Sequence, residues 1–331
     1  AVGSALHGAP ADTQLLLVDD GSPDESGAMC DAWAAKDDRV TVIHQDDLGV
    51  SGARNSGVAA ADSEFIVFLD SDDALRPGAL QAALTAQRAA PQDFVVWHYT
   101  TDEHDPAAVT ADAALRPQAG LARLWLDCLL AMPWNKLYRT DLAKQLPFDV
   151  QYTLGEDLQF VLDYIALLGQ TAPGFGYRVL NSPLTFYDCS RGGTLSTRYH
   201  ANYCDIWPKH FAKLNAACHT AGCPAEDMRP LHRAELQVFA EGVADIMRRD
   251  PSPTKRLRGY KAEAALRSPW LRALLERMKI EGCYSAYYLP CRWRNVGLVC
   301  RLANARLADS PLYGKLDWAG YYLLLGRMRR D

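Results

Sequence analysis

Residues 65–73, Phe-Ile-Val-Phe-Leu-Asp-Ser-Asp-Asp, decide the fold, because an apolar run of strand length ends abruptly in a cluster of carboxylates. Residues 15–20, Leu-Leu-Leu-Val-Asp-Asp, repeat the pattern. Acidic and serine residues form ordinary turns, so either cluster alone is read as a turn or as a site with even odds. Ligands of an open parallel sheet bind beyond the carboxyl ends of its strands, so two such clusters together favour a shared site.

Further apolar runs at 40–43 and 94–97 alternate with helical stretches at 50–60 and from Pro77 to about residue 89. This alternation predicts an α/β fold with a mostly parallel sheet flanked by helices. From Tyr199 onward the pattern becomes helical, which predicts a mainly helical C-terminal region.

Size and composition indicate a globular protein with one substantial core and a smaller second one: 331 residues, of which 49% are hydrophobic and 23% charged. The net charge of −5 is unevenly distributed. Residues 251–331 contain 16 Lys and Arg against 6 Asp and Glu, so the remainder carries −15. An acidic front half suits a site for divalent cations and excludes nucleic acid as its partner.

The nine cysteines are scattered and form no CxxC pair, which argues against a disulfide framework or a zinc site. We expect free thiols in a reducing cytoplasm. The chain opens with no signal peptide and contains no run of 18 apolar residues, so it is predicted to be neither secreted by that route nor integral to a membrane.

Two segments carry the candidate chemistry. Asp70 and Asp72 form an Asp-x-Asp pair on a tight turn, which can hold a hard divalent ion and leave coordination positions for phosphate oxygens. Such an ion would stabilise a departing diphosphate. Asp157, with Glu156 beside it, is the best candidate for a general base. The alternative is that this acidic pair only interacts favourably with a helix dipole, an effect of at most ~1 kcal/mol.

Three blocks, 17–22, 49–57 and 68–73, resemble family 2 glycosyltransferases of the GT-A fold in order and spacing. Residues 135–139 and 155–160, with the glycine-containing stretch 191–196, look like later blocks of bacterial members that build capsule and other surface polysaccharides. The resemblance covers about residues 5–197 and implies a GT-A domain at 1–197 and a separate helical region at 198–331.

The resemblance implies a donor site. Asp20, with Asp19 beside it, would contact the uracil or ribose of a nucleotide-sugar, and Arg54 would lie near the nucleotide or brace its own loop. Asp70 and Asp72 would form the metal-binding motif, with Asp72 as the direct ligand of Mn²⁺ or Mg²⁺.

It also implies catalytic roles. Asp157 would be the general base and Glu156 would orient it or the acceptor. Arg191 would approach the diphosphate, and His200 would complete the metal shell unless it is simply structural. The implied reaction is inverting transfer from a UDP-sugar to a hydroxyl of a saccharide or lipid-linked acceptor.

The first residues resemble the latter half of the first helix of the family, so we expect its first strand to be absent. An alternative function is therefore a catalytically impaired fragment that acts as a binding or scaffold protein. A nucleotidyltransferase is a weaker alternative, because that class is expected to carry a glycine-rich basic loop near its start.

The C-terminal region combines basic side chains with leucines and aromatics, at 256–279 and 284–294. Its helices could lie on an anionic bilayer, where a lipid-linked acceptor would be found, which would make the protein cytoplasmic and peripheral at the inner face of the membrane. Equally, they could form a bundle with a solvated basic face.

Overall fold

The computed structural model describes residues 1–152, 154–190 and 198–310, together with Tyr313 and Lys315. The chain divides into two compact units. The first unit comprises residues 1–192 and 217–222, and the second comprises 193–216 and 223–331. The assignment of separate roles to 1–197 and 198–331 stays a prediction.

The first unit contains all the strands of the described residues, and its helices lie between them. The strands are β1 (Leu15–Asp20), β2 (Val40–Gln45), β3 (Phe65–Ile66), β4 (Ala74–Leu75), β5 (Phe94–Thr100), β6 (Ala113–Pro117), β7 (Lys136–Arg139) and β8 (Gly176–Phe186). The helices are α1 (Val2–Leu6), α2 (Ser26–Ala34), α3 (Gly49–Ala60), α4 (Ala79–Ala89), α5 (Leu121–Leu126), α6 (Thr140–Ala143) and α7 (Glu156–Thr171), with a 3₁₀ turn at Gln118–Gly120.

β1 and β2 form a parallel pair, and the other strands form a sheet in the order β3-β7-β5-β8-β4. β8 runs parallel to β5 on one edge and pairs antiparallel with β6 and β4 on the other. The α/β class with flanking helices is confirmed, but the sheet is mixed rather than mostly parallel: two of the six pairings described are parallel. Every antiparallel pairing involves β4, β6 or β7, short strands that do not stand out as apolar runs.

The apolar run at 65–69 is a much shorter strand than its composition predicts. Only Phe65 and Ile66 are hydrogen-bonded, to Tyr138 and Arg139 of β7. The other residues of β7, Lys136 and Leu137, pair with β5 instead. Residues 67–69 therefore have no strand partner within the described parts of the chain. The backbone is free at this point to form the acidic turn that follows.

The second unit is helical, as predicted. Its helices are α8 (Tyr203–Thr220, whose last residues lie in the first unit), α9 (Ala225–Arg249), α10 (Lys255–Ala265), α11 (Pro269–Ile280), α12 (Tyr288–Arg292) and α13 (Val296–Leu307). α9 supplies much of the core, to which α11 contributes Leu271, Leu274, Leu275 and Met278. The leucines of α11 therefore pack inside this unit, as the bundle alternative predicts, whereas Leu257 and Trp293 are exposed. Contact with a membrane stays a prediction.

All nine cysteines are free thiols. Across the residues that the structure describes, no helix combines the length and the apolar character that crossing a bilayer requires.

Gly176 is the first residue of β8 and pairs with the end of β6. A methyl group on Gly176 would lie 2.5 Å from Leu115 Cδ1 and 3.0 Å from the Arg116 carbonyl oxygen. Because one obstacle is backbone, we expect Gly176→Ala to lower the free energy of unfolding by about 1–3 kcal/mol. Urea unfolding followed by tryptophan fluorescence measures the change. Gly3→Ala is the control, since nothing lies within 4 Å of its added carbon. Equal midpoints for the two variants would contradict the tight pairing.

Candidate functional site

The guanidinium of Arg54 joins three carboxylates from distant parts of the first unit. Nη1 lies 2.5 Å from Asp157 Oδ1 and 3.7 Å from Glu156 Oε1, and Nη2 lies 3.1 Å from Asp70 Oδ1. The Arg54 side chain is only 11% exposed. Burial works against its charge, but Asp157, Asp70 and Glu156 together raise the pKa of Arg54 above its usual value. The structure thus brings together four of the predicted site residues.

An aromatic floor holds this arginine in place. Arg54 Cζ lies 5.4 Å from the ring centroid of Phe148, which stacks on Phe160 at 4.0 Å and meets Phe68 edge-on at 5.3 Å. Asn55, the next residue of α3, fixes the backbone at Phe148, because its side-chain amide donates to the Phe148 carbonyl oxygen and accepts from the Phe148 N–H. Both residues lie in α3, where Asn55 links the helix to the segment at Phe148 and Arg54 faces the carboxylates. The contact of Arg54 with the nucleotide stays a prediction.

The start of α7 presents Glu156 and Asp157 to Arg54. Gly155 precedes them with φ +79°, a left-handed conformation that glycine adopts without strain. Burial raises the pKa of Asp157 to about 7, with Glu156 and Asp70 adding to the shift and Arg54 opposing it. A carboxylate with a pKa near neutrality is suited to proton transfer at physiological pH.

The acidic turn at 70–73 separates its carboxylates by environment. Asp70 is partly exposed and uses Oδ1 to bind Arg54, whereas Asp72 is partly exposed and has no side-chain hydrogen bond or ion pair to any described residue. Asp73 is buried, with 1% exposure. Its Oδ1 accepts from the Asp188 N–H at 3.0 Å, and its Oδ2 has no partner within the described chain.

These residues fit a divalent cation. Asp70 retains one carboxylate oxygen and Asp72 both, which is the oxygen chemistry that Mg²⁺ and Mn²⁺ prefer, with water or phosphate in the other positions. Three carboxylates around one guanidinium also leave a net negative charge, which would favour a bound cation.

Asp19 and Asp20 point in different directions, as successive strand residues do. Asp20 Oδ1 accepts from Gln45 Nε2 at 2.7 Å and from the Leu48 N–H at 3.0 Å. Asp19 Oδ2 lies 2.9 Å from His44 Nδ1. Neither carboxylate is hydrogen-bonded or ion-paired to the Arg54 group among the described residues. The nucleotide role of both stays a prediction.

The roles of two further predicted residues stay predictions. Arg191 lies outside the described residues. His200 belongs to the second unit, so its role as a metal ligand stays a prediction. A group of possible metal ligands occurs among the described residues of the second unit, namely His232, Glu281 and Cys283, but His232 already pairs with Glu281 at 2.7 Å.

Sequence reasoning missed Lys136, which is completely buried and lies near Asp157. Its ammonium donates to the carbonyl oxygens of Leu129 and Met132 and to Asn135 Oδ1, at 2.6–2.7 Å. Burial holds the pKa of Lys136 well below its usual range. The available signal was weak: Lys136 lies between Trp134 and the pair Leu137-Tyr138. A lysine that is buried there must be fully hydrogen-bonded.

An aromatic group beside the acidic turn was also missed. Tyr187 stacks on Trp134 at 5.4 Å, and Tyr99 meets Trp134 edge-on at 5.2 Å. Burial raises the pKa of Tyr187, and the nearby carboxylates of the 70–73 turn contribute to that shift. Partly exposed aromatic rings therefore border the candidate cation site.

Comparison with known proteins shows what the first part of the chain is similar to. Residues 1–147 match the model of "Glycosyl transferase family 2". Glycosyltransferase GlyG of Streptococcus pneumoniae is 37% identical over 94 residues, 28% of this chain and 31% of that protein. Succinoglycan biosynthesis protein ExoO of Rhizobium meliloti is 31% identical over 192 residues, 54% of this chain and 55% of that protein. The chain thus matches about half or less of the length of these curated relatives.

The crystal structure of S. aureus TarS 1-349 in complex with UDP-GlcNAc has the same fold. It superposes with a TM-score of 0.61 over 93% of this chain and 87% of that one, at 16% sequence identity. The predicted GT-A class is confirmed by this likeness.

Asp73 gives a pH-dependent prediction. Burial raises the pKa of Asp73 from 3.8 to about 6, so the native state keeps a proton that the unfolded chain releases. The stability contributed by this group is therefore lost as pH rises from about 4 to 6. We expect Asp73→Asn to gain about 2–3 kcal/mol relative to wild type between pH 4 and pH 7. Urea unfolding across this range, with the exposed Asp62→Asn as control, measures it; parallel profiles for all three proteins would contradict the burial of an unpartnered oxygen.

Proposed function

We propose that the chain transfers a sugar from a nucleotide-diphosphate donor to an acceptor hydroxyl, with inversion. The proposal starts from the match of residues 1–147 to the family 2 glycosyl transferase model and from the GT-A fold. The acceptor is a saccharide or a lipid-linked saccharide of a surface polysaccharide. UDP is the proposed nucleotide, since the TarS structure was determined with UDP-GlcNAc.

One observation carries the proposal. The guanidinium of Arg54 donates one hydrogen bond to Asp157 and another to Asp70, so that both carboxylates lie beside the same group. A proton acceptor with a pKa near 7 is thereby kept beside the Asp-x-Asp turn. An inverting transfer needs these two elements on either side of the anomeric carbon, one for the attacking hydroxyl and one for the leaving group.

In the proposed reaction Asp157 takes the proton of the acceptor hydroxyl, and the acceptor oxygen forms a bond to the anomeric carbon. The bond from that carbon to the diphosphate breaks on the opposite face, and the electron pair leaves with the nucleoside diphosphate. Glu156 keeps Asp157 oriented through their shared partner, Arg54. One displacement inverts the anomeric centre, so no covalent nucleophile is required.

Asp70 and Asp72 would hold Mn²⁺ or Mg²⁺, which supplies electrostatic stabilisation to the leaving diphosphate when it is bound. Asp20 would contact the base or ribose of the donor, from the carboxyl end of β1. Tyr187 and Tyr99 offer aromatic faces beside the turn, which suits the ring of a sugar. These assignments rest on position in the fold and on the residues that remain free to bind.

If the chain were only a scaffold, the pairing of Asp157 with Arg54 would have no function. A binding protein has no need for a partly buried carboxylate of raised pKa beside a largely buried arginine, and withdrawing these charges from water is costly unless it serves chemistry. This contrast favours an enzyme.

Donor binding is tested by calorimetric titration of UDP with and without Mn²⁺. We expect binding that depends on the metal and is lost in Asp72→Ala, because this substitution removes a carboxylate of the turn that is unpaired with respect to the described residues. Asp62→Ala is the matched control, since it removes an exposed carboxylate elsewhere in the first unit. Metal-independent binding, or equal loss in both variants, would sink the assignment of Asp72; no binding by the folded wild-type chain would favour the scaffold function.

The role of Asp157 is tested by release of UDP from a panel of UDP-sugars. We expect the wild-type rate to rise with pH up to about 7, because Asp157 acts only when it is deprotonated. Asp157→Asn should lower the rate about 10²–10⁴-fold while UDP binding persists. Glu156→Gln is the comparison, with a smaller loss and the pH dependence retained. An Asp157→Asn enzyme with a wild-type rate and pH profile would exclude Asp157 as the base.

A further inference from the structure

The second unit contains an open groove of about 370 Å³ between residues 266–276 and residues 291–294, which we call the arginine groove. Its floor is apolar and buried, formed by Leu266, Leu271, Leu275 and Cys291. Its rim is exposed and basic, formed by Arg267, Arg272, Arg292 and Arg294, with Glu276 as the acidic lining residue. An apolar floor under a cationic rim suits a ligand with an anionic head and an apolar body.

The four arginines are not equivalent. Arg292 pairs with Glu276 at 2.8 Å, and Arg267 pairs with Glu263 one turn back along its helix. Arg272 and Arg294 have no side-chain hydrogen bond or ion pair with any described residue. Two charges are therefore already balanced and two remain for a ligand.

Three further features of the groove favour an anionic ligand at a surface. Arg294 has φ +54°, a conformation that costs energy for a residue with a side chain. Trp293, beside it, is 64% exposed, whereas most described aromatic side chains of this unit are buried or partly buried. The start of α11, capped by Ser268 and opened by Pro269, also lines the groove, and helix N-termini favour anions.

We propose that the arginine groove binds the phosphate of an anionic phospholipid at a membrane surface. Arg272 and Arg294 contact the phosphate, as planar guanidinium groups suit phosphate oxygens. Trp293 lies in the interfacial layer, where amphipathic rings are favoured. Charge complementarity supports this occupant, since the described residues 251–310 carry 12 Lys and Arg against 4 Asp and Glu. Contact through a rim of exposed residues does not require the leucines of α11 to leave the core.

The test is flotation of the full chain with vesicles of phosphatidylcholine, with or without phosphatidylglycerol. We expect binding only to the vesicles that contain phosphatidylglycerol. The double variant Arg272→Ala/Arg294→Ala should bind about 30-fold more weakly, since each basic residue at an anionic surface contributes about five-fold. Trp293→Ala should also weaken binding, without any change in net charge.

The matched control is Arg256→Ala/Arg301→Ala, which removes two positive charges from the same unit outside the groove. It should lose far less binding. Equal losses in the two double variants would overturn the proposal in favour of a diffuse basic surface. Absence of flotation would overturn it too, and if inorganic phosphate still bound to the chain in calorimetry, the groove would be a site for free phosphate.

Unfolding midpoints of all variants, which should be unchanged, separate lost binding from lost folding. Metal-dependent UDP binding, measured on the same preparations, separates this proposal from the proposed transferase function. We expect the groove variants to retain it, because the acidic residues of the donor site lie in the first unit. Failure of either proposal is then visible without the other.

Discussion

The candidate site depends on one buried cation. Two segments of chain, the acidic turn and the start of α7, bring three carboxylates to the guanidinium that α3 supplies, and these carboxylates would repel one another without it. Arg54 therefore both assembles the site and sets its electrostatics. Because the carboxylates outnumber it three to one, the arginine neutralises only part of their charge, and the environment stays favourable for a second cation and for a carboxylate that can be protonated near neutrality.

Much of this could be predicted from local pattern. The apolar runs located β1, β2 and β5, the carboxylates after residues 65–69 located the acidic turn, and the acidic pair Glu156-Asp157 located the first turn of α7. The pattern could not give strand direction, because an apolar run reports burial and not orientation. The mixed sheet came from short strands whose pairing depends on the whole fold, and β3 was overestimated for the same reason.

Side-chain partners were harder to predict than elements. Arg54 and Asp157 are 103 positions apart, and no local spacing joins them. Asp73 looks like its neighbours in the sequence, and only the packed structure shows that it is buried. By contrast, the different orientations of Asp19 and Asp20 follow from the two-residue period of a strand, so that distinction was available from the sequence.

Asp72 and Asp73 are adjacent, yet one is proposed to face a metal and the other fixes the backbone at Asp188, near the end of β8. An alanine scan of this turn would consequently mix two kinds of defect, lost coordination and a displaced neighbouring segment, and the two would look alike in an activity assay. The same two effects would have to be separated when homologues with another residue at position 73 are compared. A homologue that replaced it with a neutral residue able to accept the same backbone hydrogen bond could keep its chemistry intact while changing the pH range in which it is stable.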